Sequence, residues 1–528
     1  MRQLSKESNG IKLTDKPSDY GLPGDQWYPN QKDVVRKALN LEKDKVLFLE
    51  APTGSGKSFS PALVSKFRPV TVMVATRDLQ RQYENSFDWF KIVWGQTHYP
   101  CILPSKMELY EKAYGEAPTR KDCTINLKRE SCAVYSDCPY EISKKEAARS
   151  DAMVLNYAYA FFTGWWRQNG QRDIFCDEAH RLPDVLADLI SIEISERQRQ
   201  QYSLPVFPLI SGGSSRAIDG IRSYIDKCMR AINDWRDLAK SIGGDEKQML
   251  KCDRFKNKIE SLQNALVVAE PDTWYIASGE KLGRLIARPI FPKNYSSGVI
   301  DPNSRSVVMM SATIGDHNVL ASRLGIPLET TEFMSVPHGF PKRNRPVIWI
   351  ANAPSISSKS TPLDYEHQAD IISNLLNGSP DQKGIIHTTS WSHTDHLADL
   401  LSKRGHADRI FVTKGPRVKT VTKFRNSKQG TVAISPSWSE GLDFPDDDAR
   451  FAIIAKIPWR SLGDPVTRLR LQSEGGREWY DWTACLGVVQ RAGRVVRHAN
   501  DWGITYIVDS NWSRVKRLAP KWFEVTKV

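Results

Sequence analysis

The segment Lys45-Val-Leu-Phe-Leu-Glu-Ala-Pro-Thr-Gly-Ser-Gly-Lys-Ser58 constrains the fold more than any other stretch of the chain. Val46 to Leu49 form a short, uninterrupted apolar run, the pattern of a parallel strand buried on both faces. Immediately after it, Thr53, Gly54, Ser55 and Gly56 supply a glycine-rich turn whose backbone N–H groups can close around phosphate. Lys57 is then spaced to reach the β and γ oxygens, and the Ser58 hydroxyl to hold Mg²⁺. A phosphate loop of this kind opens a helix at the carboxyl end of a strand, so the expected class is α/β with a parallel sheet. Residue frequencies alone would produce the pattern in on the order of 4 in 100 chains of this length, so a second signal is required.

That signal is Arg172-Asp-Ile-Phe-Cys-Asp-Glu-Ala-His180. Ile174 to Cys176 end another apolar strand and deliver Asp177 and Glu178 to the carboxyl edge of a sheet, where α/β folds bind ligands. Asp177 is suited to grip Mg²⁺, and Glu178 to orient and deprotonate an attacking water. The ordered pair of motifs would arise by chance in on the order of one chain in ten thousand.

Further segments follow in sequence. Thr76-Arg77 follows the strand-like Thr71 to Ala75, Ser311-Ala-Thr313 follows Val307 to Met310, and Thr388-Thr-Ser390 follows Gly384 to His387. Ser439-Glu-Gly-Leu-Asp-Phe444, Lys456-Ile-Pro-Trp459, Asp464-Pro465 and Gln490-Arg-Ala-Gly-Arg-Val-Val-Arg497 complete the set. With these motifs the chain resembles superfamily 2 helicases of the DEAH type, and among them the XPD/DinG family of iron–sulfur DNA helicases. The resemblance runs from Tyr28-Pro-Asn-Gln31, similar to that family's adenine-recognition element, to Asp501-Trp-Gly503. It implies two RecA-like domains that close on ATP, with Arg494 and Arg497 reaching across as arginine fingers. It further implies that Gln490 positions water or γ-phosphate and that Gln31, Glu440 and Asp443 line the nucleotide cleft. His180, Ser311 and Thr313 would couple nucleotide state to nucleic acid, and Thr76, Arg77, Thr388 and Ser390 would contact phosphates. A Thr or Ser after an apolar strand is equally often a helix cap.

Cys101, Cys123, Cys132 and Cys138 lie between the phosphate loop and the DEAH box, where the resembled family inserts a 4Fe-4S domain. Eight cysteines in 528 residues do not make a disulfide framework, so the local group of four points to a metal or redox centre. Their gaps of 21, 8 and 5 residues include no zinc-knuckle spacing, which favours an iron–sulfur cluster over zinc while leaving zinc as the alternative. The middle spacing departs from the family's better-known members. Cys176, Cys228, Cys252 and Cys485 sit in apolar contexts and read as core.

Between the DEAH box and Ser311, Ile218, Ile221, Ile225, Cys228, Ile232 and Trp235 recur at helical spacing, as do Phe255, Ile259, Leu262 and Leu266. Gly243-Gly244 separates the two runs, so an antiparallel helical pair is expected, matching the arch of the resembled family. Trp165, Trp166 and Trp391 are candidates for stacking on bases. The net charge of +13 suits a polyanionic partner, and Leu401 to Gly430 carry nine Lys or Arg against one acid.

The expected organisation is a first RecA-like domain (1–96, 151–190 and 290–335) interrupted by a cysteine-rich insertion (97–150) and a helical arch (191–289), then a second RecA-like domain (336–528). The expected activity is that of an ATP- and Mg²⁺-dependent DNA helicase with 5′ to 3′ polarity, acting on single-stranded DNA and on forked or 5′-overhang duplexes. The alternatives are a metal-cluster ATPase switch that remodels a protein partner, and a helicase of RNA or RNA–DNA hybrids. The polar N-terminus and the lack of a spanning apolar stretch lead to the expectation of a cytoplasmic monomer with no membrane partner.

Overall fold

The computed structural model describes residues 13–22, 24–115, 117–122, 132–168, 171–438 and 442–528. Two seven-stranded sheets, parallel throughout, organise the chain. The first runs Thr331–Ser335, Val46–Glu50, Ser306–Ser311, Asp173–Asp177, Val70–Val74, Ala152–Asn156 and Lys91–Ile92. Four of these, Val46–Glu50, Val70–Val74, Asp173–Asp177 and Ser306–Ser311, are buried along their whole length, because helices cover both faces. Val46–Glu50 and Asp173–Asp177 both pair with Ser306–Ser311. The phosphate loop, the DEAH box and the Ser311-Ala-Thr313 turn therefore emerge side by side at one carboxyl edge.

The second sheet runs Ile410–Val412, Val432–Ser435, Gly384–His387, Phe451–Ile454, Ile504–Ile507, Val347–Trp349 and Thr526–Lys527. Its helix Gly476–Ala492 also packs against the first unit. Trp479, Tyr480, Trp482 and Leu486 share one hydrophobic cluster with Met309, Ile314 and Leu320, and the Trp482 indole N–H donates to the Ile314 carbonyl at 2.7 Å. The two RecA-like units thus meet on an apolar footing that leaves a cleft beside it.

The expected helical pair is present as Ser215–Ser241 and Glu246–Val267. Ile218, Ile221, Ile225, Cys228 and Ile232 of the first face Phe255, Ile259, Leu262 and Leu266 of the second in one core. Gly243 takes φ +68° at the turn, a left-handed conformation that glycine adopts without strain. The helical reading was incomplete, however. The pair is rooted in a four-stranded antiparallel sheet, Ile192–Ser195, Arg284–Pro289, Trp274–Gly279 and Ile210–Gly212, with Trp274 fully buried beneath the helices.

Between Lys91–Ile92 and Ala152–Asn156 the cysteine-rich segment contributes two helices, Pro104–Tyr114 and Pro139–Arg149. Cys138 is the N-cap residue of the second. Cys123 lies outside the described residues.

Candidate active site

A cavity of about 640 Å³ separates the two RecA-like units and is lined from both. Thr53, Gly54, Gly56, Lys57, Ser58, Asp177, Glu178, His180 and Thr313 come from the first, and Asp443, Gln490, Arg494 and Arg497 from the second. The phosphate loop is held open by Gly54 at φ +77° and Gly56 at φ +75°. Both glycines also permit close approach: a Cβ on Gly54 would stand 2.2 Å from the Phe340 ring, and one on Gly56 would stand 2.7 Å from the Tyr28 ring. Phe340 belongs to the core of the second unit, so a side chain outside the sequence motifs links that core to the phosphate loop.

Lys57 Nζ lies 3.1 Å from Asp177 Oδ1 and 3.0 Å from Glu178 Oε1. Burial opposes the charge on Lys57, but the two carboxylates outweigh it and hold the ammonium above its ordinary range. Burial would likewise raise Glu178; Lys57 overcomes that and keeps the carboxylate ionised below its usual range. Asp177, with almost no exposed surface, is raised by burial despite Lys57. The lysine thus neutralises the acidic pair until phosphate competes for it.

From Glu178 a hydrogen-bonded chain crosses to the second unit. Gln490 Nε2 donates to His180 Nε2 at 2.7 Å, His180 Nδ1 faces Ser311 Oγ at 2.7 Å, and Ser311 Oγ donates to Glu178 Oε2 at 3.3 Å. Gln490 Nε2 also reaches Thr313 Oγ1 at 3.5 Å, while the Thr313 N–H donates to Ser311 Oγ. With the imidazole proton on Nδ1 every bond in the chain has one donor and one acceptor. Glu50, at the end of its strand, ties the same region together. Its carboxylate accepts from the Ile314 and Gly315 N–H groups and from Ser335 Oγ.

Arg494 and Arg497 lie in the cleft and pair with groups of their own unit. Arg494 donates to the Leu442 carbonyl and to Asp443 Oδ1, and Arg497 donates to Asp443 Oδ2 at 2.9 Å. Asp443 is therefore the resting partner of both arginines. Glu440 lies outside the described residues. Gln31 is buried; its Oε1 accepts the Tyr28 N–H at 3.1 Å, and its Nε2 has no partner among the described residues. An unsatisfied buried amide beside the phosphate loop costs about 1–3 kcal/mol, and a purine base is a ligand that would satisfy it. The carboxylate of Asp177 and the hydroxyl of Ser58 form an oxygen donor set suited to Mg²⁺.

The four proposed phosphate contacts fall into two groups. Thr76 caps the helix Arg77–Ser86, accepting the Leu79 N–H, and Ser390 caps Trp391–Leu401, accepting the His393 N–H. Arg77 is exposed beside Thr97. Thr388, by contrast, is fully buried, its hydroxyl 2.6 Å from that of Thr394, so it fixes the end of its strand and presents nothing to a ligand here. Trp166 is also core, with its indole N–H on the Ala160 carbonyl, whereas Trp391 is 39% exposed.

Of the cysteines, Cys101 is buried and Cys132 and Cys138 are half-buried. A thiol donor set suits a soft metal or an iron–sulfur cluster. The remaining four behave differently: burial pushes Cys176 and Cys228 up to about 12 and Cys252 to about 11, and raises Cys485 further. Those thiols stay neutral and are core residues.

A helicase C-terminal domain family model matches residues 372–526. The ATP-dependent DNA helicase YoaA of Haemophilus influenzae is 20% identical over 583 residues, spanning 90% of this chain and 89% of the relative. The regulator of telomere elongation helicase 1 homolog of Drosophila melanogaster is 27% identical over 264 residues, but only 42% of this chain and 26% of that relative are covered. Among solved structures, an XPD helicase matches with a TM-score of 0.59 at 16% identity, over 98% of this chain and 100% of that one. The Xpd4 structure from S. tokodaii gives 0.57 at 11% identity, over 94% and 99%. Residues 372–526 thus match a helicase C-terminal domain, and the whole chain shares the fold of the XPD helicases. No helix among the described residues is long and apolar enough to cross a membrane.

Proposed function

We propose that this XPD/DinG-type enzyme hydrolyses ATP between its two RecA-like domains to move 5′ to 3′ along single-stranded DNA and to open the duplex ahead. The observation that carries the reading is the chain Glu178–Ser311–His180–Gln490, because it joins the water-activating carboxylate to the second domain. As ATP enters, its phosphates draw Lys57 away from Asp177 and Glu178. Glu178 then loses the cation that keeps its basicity low and accepts the proton of the attacking water. Arg494 and Arg497 leave Asp443 for the γ-phosphate, which requires closure, so turnover reports on the positions of the domains. Ser58 and Asp177 would hold Mg²⁺, which would supply charge neutralisation at the phosphates.

We assign the domain limits as 1–96, 151–190 and 290–335 for the first RecA-like domain and 336–528 for the second, with insertions at 97–150 and 191–289. Cys101, Cys123, Cys132 and Cys138 would hold a 4Fe-4S cluster. The arch helix touches the cysteine segment through Arg254, which donates to Asp122 Oδ1 at 2.8 Å, next to Cys123. That contact supports a closed passage for one strand between the insertions. Thr76, Arg77 and Ser390 would track its phosphates.

The test is ATP turnover with and without single-stranded DNA, combined with strand displacement on 5′- and 3′-overhang duplexes. DNA-stimulated turnover and displacement from the 5′ overhang are expected. Displacement from the 3′ overhang alone overturns the polarity, stimulation by RNA alone moves the substrate class, and turnover indifferent to both nucleic acids makes the protein an ATPase switch.

A further inference from the structure

One wall of the nucleotide cleft is the helix Arg77–Ser86, from which Leu79, Gln82 and Ser86 line the cavity. Tyr83, one turn from both Leu79 and Ser86, lies on the same side of this helix and is 1% exposed. Its hydroxyl donates to Asp177 Oδ2 at 3.3 Å and lies beside the side chain of Ser58. The same Asp177 is fixed from its other oxygen by the Glu178 N–H and Lys57, and its carbonyl accepts from Tyr157. One phenol therefore touches both groups that suit Mg²⁺. The helix that carries it begins at Thr76-Arg77, about 10 Å away along the axis. The helix is not free to slide independently of the sheet: Gln80 donates to the Val93 carbonyl and accepts from Asn156. A shift at its amino end must be expressed as a rotation or tilt at Tyr83.

We propose that Tyr83 is a positioning residue through which nucleic acid bound at the Thr76-Arg77 end of this helix sets the Mg²⁺-binding geometry of Asp177 and Ser58. The inference rests on the nucleic-acid reading of Thr76-Arg77 given above. Without nucleic acid, the hydroxyl would hold Asp177 and Ser58 away from their best approach to the metal; with it, Mg²⁺ would bind more tightly and turnover would rise.

The experiment uses the full chain and Tyr83→Phe, which keeps the ring against Phe87 and Phe90 and removes only the hydroxyl. Turnover is titrated with Mg²⁺ with and without a thymidine oligonucleotide, and binding of a fluorescent ADP is titrated with and without Mg²⁺. The natural protein is expected to need several-fold less Mg²⁺ for half-maximal turnover when the oligonucleotide is present. Tyr83→Phe should bind metal-free ADP within about twofold of normal and lose the oligonucleotide effect on Mg²⁺. The gain in ADP affinity on adding Mg²⁺ should change by about tenfold, the scale of one hydrogen bond to a charged group. Phe90→Leu, which loosens packing around the same ring, should lower the melting temperature without abolishing the oligonucleotide effect. An oligonucleotide effect retained in Tyr83→Phe, or lost equally in Phe90→Leu, overturns the proposal. Turnover of the natural protein that ignores the oligonucleotide overturns the nucleic-acid reading itself, a separate result.

Discussion

Glu178 shows how much of the chemistry is set by single contacts. Its carboxylate is ionised because Lys57 outweighs burial, and its one assigned task is to take a proton. Glu178→Gln keeps the shape and the bond from Ser311 but cannot accept that proton. Turnover should fall by about 10²–10⁴, while nucleotide binding by the phosphate loop stays within a few-fold in a fluorescence titration. His393 is a second residue with a defined consequence. It is buried against Gln368, 2.9 Å from its Oε1, and burial, reinforced by Lys456 and His396, holds its pKa down to about 4. The unfolded chain takes up this proton near pH 6.5, so the stabilisation from neutral His393 is complete above that value and is lost as pH falls toward 4. Melting in a pH series should show stability declining by about 1.4 kcal/mol per unit across that window from this group, and His393→Gln should remove its share of the slope.

At the scale of elements, the parallel strands were legible because burial on both faces leaves a continuous apolar run, as in Val46 to Leu49 and Val307 to Met310. The antiparallel sheet under the arch was not. Its longer strands alternate buried with less buried residues instead of forming a continuous apolar run, and Ile192–Ser195 pairs with Arg284–Pro289 across the whole helical pair, a separation that no local pattern reports. Side-chain direction was equally hidden, so the sequence left Thr388 open between phosphate contact and structural role and Trp166 open between stacking and core; both are buried. The basic run from Leu401 to Gly430 was overcounted for a related reason. Its partners Asp399, Glu366, Asp370, Asp395 and Asp448 lie outside the run, and Arg409 is spent on three backbone carbonyls. The insertions yield two predictions of their own. Cys138→Ser should remove iron from the purified protein and abolish duplex displacement, yet leave part of the DNA-stimulated turnover, because neither RecA-like sheet includes that segment. Arg254→Ala breaks the bridge to Asp122 and should speed dissociation of single-stranded DNA several-fold, read by stopped-flow fluorescence, with turnover per bound strand little changed.

For the whole molecule the question is which contacts move. Trp482 on Ile314 and the shared cluster around Trp479 and Leu320 are apolar and buried, the properties of a pivot. Asp184 adds to it by pairing with Arg460 and Arg470 across the same interface, and Phe291 is packed between Arg323 and Arg470. The arginines at the far side of the cleft are held differently. Arg494 and Arg497 share one half-exposed carboxylate, Asp443, and exposed ion pairs of this kind contribute about 0–1 kcal/mol each, little enough for a γ-phosphate to compete. Closure should therefore swing Arg494 inward about the Trp482 pivot. Arg494→Ala removes the group that rewards closure and leaves the phosphate loop, Asp177 and Glu178 untouched. Turnover should drop about a thousandfold, in the range measured for arginine fingers. Two dyes, one on each RecA-like domain, should report approach on adding a non-hydrolysable ATP analogue with Mg²⁺ in the natural protein and in Glu178→Gln. The same approach should be much reduced in Arg494→Ala, although the analogue still binds. Full closure in Arg494→Ala would mean that another group, with Arg497 the first candidate, senses the γ-phosphate and that Arg494 serves only to hold Asp443.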